Sequence, residues 1–93
     1  MAIQSFKCRD TRALHERRRV ARFANLESVA RRKLDQLDAA HVLQDLVVPP
    51  GNHLQALMRD RAGQHSIRIN DQWRVCFVWT AQGPADVEIT DYH

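Results

Sequence analysis

The stretch that most constrains this chain runs from Gly63 to His93. Ile67 and Ile69 alternate with Ser66 and Arg68. Trp73, Val75, Phe77 and Trp79 alternate with Arg74, Cys76 and Val78, and Val87 and Ile89 alternate with Glu88 and Thr90. Period-two alternation rich in β-branched and aromatic residues predicts half-buried strands. Asn70-Asp71-Gln72 and Gln82-Gly83-Pro84 supply turns between them. The pattern predicts an antiparallel meander with one apolar face. The second face carries Ser66, Arg68, Arg74, Cys76, Thr90 and Tyr92.

With 93 residues, one small domain covering 1–93 is expected, with a modest core. No run of about 18 apolar residues offers a membrane span, and the N-terminus lacks the apolar segment of a signal peptide. A cytoplasmic protein that does not engage membranes is the expectation. Cys8 and Cys76 show no metal-ligand spacing and read as reduced packing residues; no metal and no cofactor is expected. The net charge of +3 hides an asymmetry. Residues 1–22 carry seven basic side chains and two acidic ones, and the remainder carries seven and nine. Such a segment suits a polyanion or an acidic partner, and equally a solvated helix face.

Ahead of the meander, Ile3 to Lys7 is a short candidate strand. Asp10 or Thr11 is able to cap a helix through Ala13 and Leu14 into Arg17-Arg18-Arg19, although 17–22 reads equally as a basic loop. The clearest helix runs from about Leu26 to about Ala40. Asn25 is its expected N-cap, and Leu26, Ala30, Leu34, Leu37 and His41 form its apolar stripe. His41 reads as a helix-end residue. A short helical turn is expected within Ala39 to Leu46, and the segment 47–52 (VVPPGN) must be a connector. His53 to Asp60 reads as the start of a strand or as a loop beside the sheet. Helices followed by a run of strands give an α+β fold, two helices packed on one face of a small curved antiparallel sheet. Ile67, Ile69, Val75, Phe77, Val87 and Ile89 would face those helices.

The pattern GQHSIRINDQWRVCF (63–77), the PPGN at 49–52, Ser5-Phe6, the segment KLDQLDAA (33–40) and the ending VEITDYH (87–93) resemble HigB-type toxins of bacterial toxin–antitoxin systems, within the RelE/ParE superfamily. The resemblance covers essentially the whole chain. It implies a β-α-α-β-β-β fold, a HigA-like helix-turn-helix antitoxin, and contact with operator DNA only through that antitoxin. It also implies metal-free cleavage of mRNA on the ribosome, by attack of a ribose 2′-OH on the adjacent phosphate. The residues it carries over are Asp91, Tyr92 and His93, Arg74 on the central strand, and a histidine or basic residue in the 53–61 loop. His53, Arg59, Arg61 and Arg68 are the phosphate candidates. Related toxins often have Lys-Gly where this chain has Met58-Arg59, and a thioether neither carries charge nor donates a hydrogen bond. Arg59 or Arg61 is then expected to substitute. Arg17, Arg18, Arg19, Arg31 and Arg32 would contact ribosomal RNA through its phosphates.

Such cleavage needs a base for the 2′-OH, a donor for the phosphorane charge and an acid for the leaving 5′-oxygen. Histidine and arginine suit these tasks. Trp73, Trp79 and His65 read first as packing residues, and Asp91 as an alternative ion-pair partner of Arg74 or Arg68. The same fold is compatible with a non-catalytic, ParE-like inhibitor of DNA gyrase, or with a co-repressor that binds an operator only with its antitoxin.

Overall fold

The computed structural model describes residues 2–91. Tyr92 and His93, expected at the site, lie outside the described residues. Two α-helices, α1 (Arg9–His15) and α2 (Glu27–Ala39), precede four strands: β1 (Gln55–Ala56), β2 (His65–Arg68), β3 (Arg74–Thr80) and β4 (Gly83–Thr90). The strands form one antiparallel sheet in the order β1-β2-β3-β4. Short connections join β2 to β3 and β3 to β4, while an eight-residue segment with a 3₁₀ turn over Arg59–Arg61 joins β1 to β2. The architecture is α+β, as the segregated periodicities require.

One face of the sheet holds the core. Ile67, Ile69, Val75, Phe77, Val87 and Ile89 pack with Leu14 from α1, with Phe23 and Leu26, and with Ala30, Leu34 and Leu37 from α2. Trp73 meets Phe23 edge-on at 5.7 Å between ring centroids, and Trp79 packs at the margin, so both indoles serve the core. Thr11 ties α1 to the sheet: its buried hydroxyl accepts the backbone N–H of Ile89 at 2.9 Å. No described helix is long and apolar enough to cross a membrane.

Several local expectations give way. Residues 3–7 form no strand of their own. Phe6 makes one parallel bridge to Val87, and Val87 donates to the carbonyl of Ser5. The reason is a bulge: between Cys76↔Glu88 and Val78↔Ala85, β4 carries one residue more than β3, with Asp86 at φ 52°. The Ser5 hydroxyl accepts the N–H of Asp86 at 2.9 Å, so the N-terminal segment docks on the bulge. Helix α1 stops at His15, before the arginines. Arg17 takes a left-handed φ of 68°, and the N–H groups of Arg17 and Arg18 reach the carbonyls of Leu14 and Ala13. That is a Schellman closure with arginine where glycine is usual. Nor does Asn25 cap α2; a 3₁₀ turn over Ala21–Leu26 feeds the helix directly. His41 is exposed beyond the helix end, its N–H bonded to the Asp45 carboxylate.

The connector at 47–52 is anchored by a buried side chain. Asn52 is fully buried and accepts from the Lys33 ammonium at 2.5 Å. Its amide donates to Gln36 Oε1 at 3.1 Å and to the carbonyls of Leu46 at 3.0 Å and Val48 at 3.4 Å. Lys33 itself is 7% exposed, on the inner stripe of α2. Burial, with the nearby Arg32 charge, lowers its pKa from the ordinary 10.5.

Candidate active site on the second sheet face

Strand register places the polar side chains of the second face in rows. Ser66, Cys76 and Glu88 form one row; Arg68, Arg74 and Thr90 form the next. The first row is not open to solvent, as alternation alone suggested. Ser66 and Cys76 are buried, and the segment 53–61 is fixed at two points to residues of this face. At one, Arg74 Nη2 donates to the His53 carbonyl at 2.7 Å. At the other, Arg61 pairs with Glu88 at 3.0 Å and also donates to Gln64 at 3.2 Å. Burial is the main cause that pushes the Cys76 thiol up to about 11. It is a packing residue that resists ionisation.

Arg74 is the best-anchored cation of the second row. Its Nε donates to the Ser66 hydroxyl at 2.7 Å and its Nη2 to the His53 carbonyl. Arg68 stands directly opposite on β2 and pairs with the exposed carboxylate of Asp71. Like charges facing each other across two strands cost stability. Asp91, the residue after the end of β4, accepts from the Gln72 amide at 2.9 Å. The structure thus brings Arg68, Arg74, the His53 carbonyl and the end of β4 to one region of the second face. His53 is exposed, in a left-handed conformation with φ 46°.

A groove of about 390 Å³ lies along residues 55–61. Met58, 80% exposed, and the exposed Arg59 line it. Arg61 also lines it, but its guanidinium is committed to Glu88 and Gln64.

The remaining arginines belong to the helical layer. Arg17 pairs with Asp35 at 2.6 Å, and Arg18 lies 3.6 Å from Glu16. Arg19 and Arg32 are exposed. Arg31 is not the solvent-facing cation expected of it. It pairs with Glu27 at 2.8 Å and donates to the carbonyls of Leu14 and Arg18 at 3.1 and 2.8 Å. It therefore closes the C-terminus of α1 from the neighbouring helix.

Alternation did not disclose Ser66 as a partner of Arg74, nor the carbonyl of His53. The signal for Ser66 was a small polar residue two places before Arg68 on a strand whose neighbour carries Arg74. The signal for the Asn52 anchor was Lys33, a charged residue three places from both Ala30 and Gln36 on the buried side of α2.

Helices on one face of a short antiparallel sheet, with arginines on the other, define the class of RelE-like toxins. The family model for HigB-like toxins, described as the RelE-like toxin of the type II toxin–antitoxin system HigB, matches residues 11–93. The chain belongs to that family. A protein named Toxin HigB-1 from Vibrio cholerae is 43% identical over 56 residues, covering 60% of this chain and 59% of that protein. An uncharacterized protein of Haemophilus influenzae is 41% identical over 54 residues, covering 58% of this chain and 54% of that one. The matched stretch spans somewhat more than half the length of these relatives.

Proposed function

We propose that this chain is a ribosome-dependent mRNA endonuclease that arrests translation in the cytoplasm and is neutralised by a helix-turn-helix antitoxin. The observation that carries the reading is the anchored Arg74, opposite Arg68 on one side and, on the other, opposite Thr90 at the end of β4, the strand that precedes Asp91-Tyr92-His93 in the sequence. Two arginines at opposed strand positions repel each other, and a phosphate bound between their side chains would offset that repulsion.

In the proposed reaction a ribose 2′-OH passes its proton to a solvent base and attacks the adjacent phosphorus. A cyclic phosphate forms and the 5′-oxygen leaves with a proton. Arg74 stabilises the charge of the phosphorane. His93 is the proton donor to the 5′-oxygen, and Tyr92 orients the ribose or stacks on a base. Asp91 orients the acid. The 2′-OH is itself the nucleophile, so the reaction calls for no metal ion. Arg59, exposed in the groove beside Met58, takes the place of the family lysine as an outer phosphate contact, and His53 borders the same path. Arg18, Arg19 and Arg32 meet ribosomal RNA through phosphates, while Arg17 contributes through the turn it closes. Operator DNA is contacted only through the antitoxin.

Primer extension on mRNA after brief expression tests the reading. Discrete cuts inside reading frames are expected. Intact mRNA accompanied by broken or relaxed DNA would replace the reading with gyrase inhibition.

A further inference from the structure

Among the described residues, Arg74 uses two of its five N–H donors, and both lie along one edge of the guanidinium. Nε–H points to the Ser66 hydroxyl and Nη2–H to the His53 carbonyl, each at 2.7 Å. Two hydrogen bonds along one edge of a planar group fix both its plane and its rotation. The other edge, the end-on fork of Nη1 and Nη2, is then turned away from these anchors. It is the edge that matches two phosphate oxygens. Ser66 is itself held rigidly: it is 0% exposed, on β2, with Cys76 and Gln55 as its strand partners. The His53 carbonyl is fixed in turn by its neighbour, since Asn52 is clamped by Lys33.

We infer that Ser66 is a positioning residue, whose buried hydroxyl aims the Arg74 guanidinium at the scissile phosphate. The inference rests on the proposed role of Arg74 as the phosphate donor. Without the hydroxyl, Nε–H loses its acceptor and the guanidinium turns about the single bond left at His53. The phosphorane then meets a donor pair out of register, and small misplacements of this kind are costly to rate.

A double-mutant cycle in single-turnover cleavage on programmed ribosomes tests the inference. Ser66→Ala should slow cleavage about tenfold with ribosome affinity unchanged. In an Arg74→Ala background the same substitution should add less than about twofold, because there is nothing left to aim. Ser66→Thr, which keeps the hydroxyl, should restore the rate. A merely structural serine would lower the rate equally in both backgrounds, and that result would overturn the inference, as would an unchanged rate in Ser66→Ala alone. If Ser66→Ala does not fold, Ser66→Cys carries the same cycle, since a thiol keeps the shape but accepts weakly. Failure of the underlying reading is distinct: Arg74→Ala alone would then cleave at the wild-type rate.

Discussion

Replacing Asn52 by alanine removes an anchor that joins three segments of the chain. The substitution leaves the Lys33 ammonium, 7% exposed, without the carbonyl oxygen that accepts from it. It also takes the donor from the carbonyls of Leu46 and Val48 and from Gln36 Oε1. A buried group left unsatisfied costs about 1–3 kcal/mol, and more when it is charged. The carbonyls can find water where the connector is exposed, so the loss falls mainly on Lys33, and about 3 kcal/mol is expected in all. That is a large share of the roughly 5–14 kcal/mol available to a domain of this size. At about 4–8 °C per kcal/mol, the melting temperature should fall by about 12–24 °C. Urea unfolding followed by the fluorescence of Trp73, which packs against Phe23, measures the change. Lys33→Met removes the ammonium, so the Lys33→Met/Asn52→Ala pair should cost less than the sum of the single variants by about 1 kcal/mol or more. An Asn52→Ala loss below about 1 kcal/mol, or strictly additive variants, would show that the contact does not anchor the connector.

Other consequences can be checked separately. Replacing Arg17, Arg18 and Arg19 by alanine should weaken ribosome binding and flatten its salt dependence while leaving saturated cleavage nearly unchanged; collapse of cleavage at full occupancy would contradict the assignment. Met58→Lys should raise cleavage or leave it unchanged, Arg59→Ala should lower it severalfold, and Arg61→Ala should act mainly on stability, because Arg61 is bound to Glu88; these are read by comparing single-turnover rates with melting curves. Cys76 has a folded pKa of about 11 against an ordinary 9.0, so between those values the unfolded chain releases the thiol proton and the folded chain retains it. Stability should therefore fall as pH rises from about 9 to about 11, and Cys76→Ala should flatten that part of the profile in denaturation measured across the range.

The meander and its inner face were legible because alternation and burial are the same fact in a sheet covered on one side. Ile67 through Ile89 needed only a period of two. Helix α2 was legible from its stripe, but its start was not. The 3₁₀ turn before Glu27 makes capping by Asn25 unnecessary, and no local residue announces that turn. The end of α1 was hidden because Arg17 holds a left-handed position where glycine would have signalled it, and Arg31, 14 residues later in the chain, completes the closure. The docking of Ser5 and Phe6 depends on a bulge in β4, a non-local event. At the site, parity placed Arg68 and Arg74 on one face. It could not reveal that Ser66 and the His53 carbonyl hold Arg74, since one partner is two strand positions from Arg68 and the other is a backbone atom of a loop. The proposed chemistry came from the resemblance of the 63–77 pattern and the terminal residues to a toxin family, to which the family match over 11–93 assigns the chain.

The central claim is that Arg74 and the terminal histidine cleave mRNA in the ribosomal decoding site. Single-turnover cleavage of a defined mRNA on programmed ribosomes, with wild type, Arg74→Ala and His93→Ala at saturating concentration, tests it most directly. Each substitution should slow cleavage by on the order of a hundredfold while the protein still folds and still binds the ribosome. Cleavage at the wild-type rate by both variants would contradict the account.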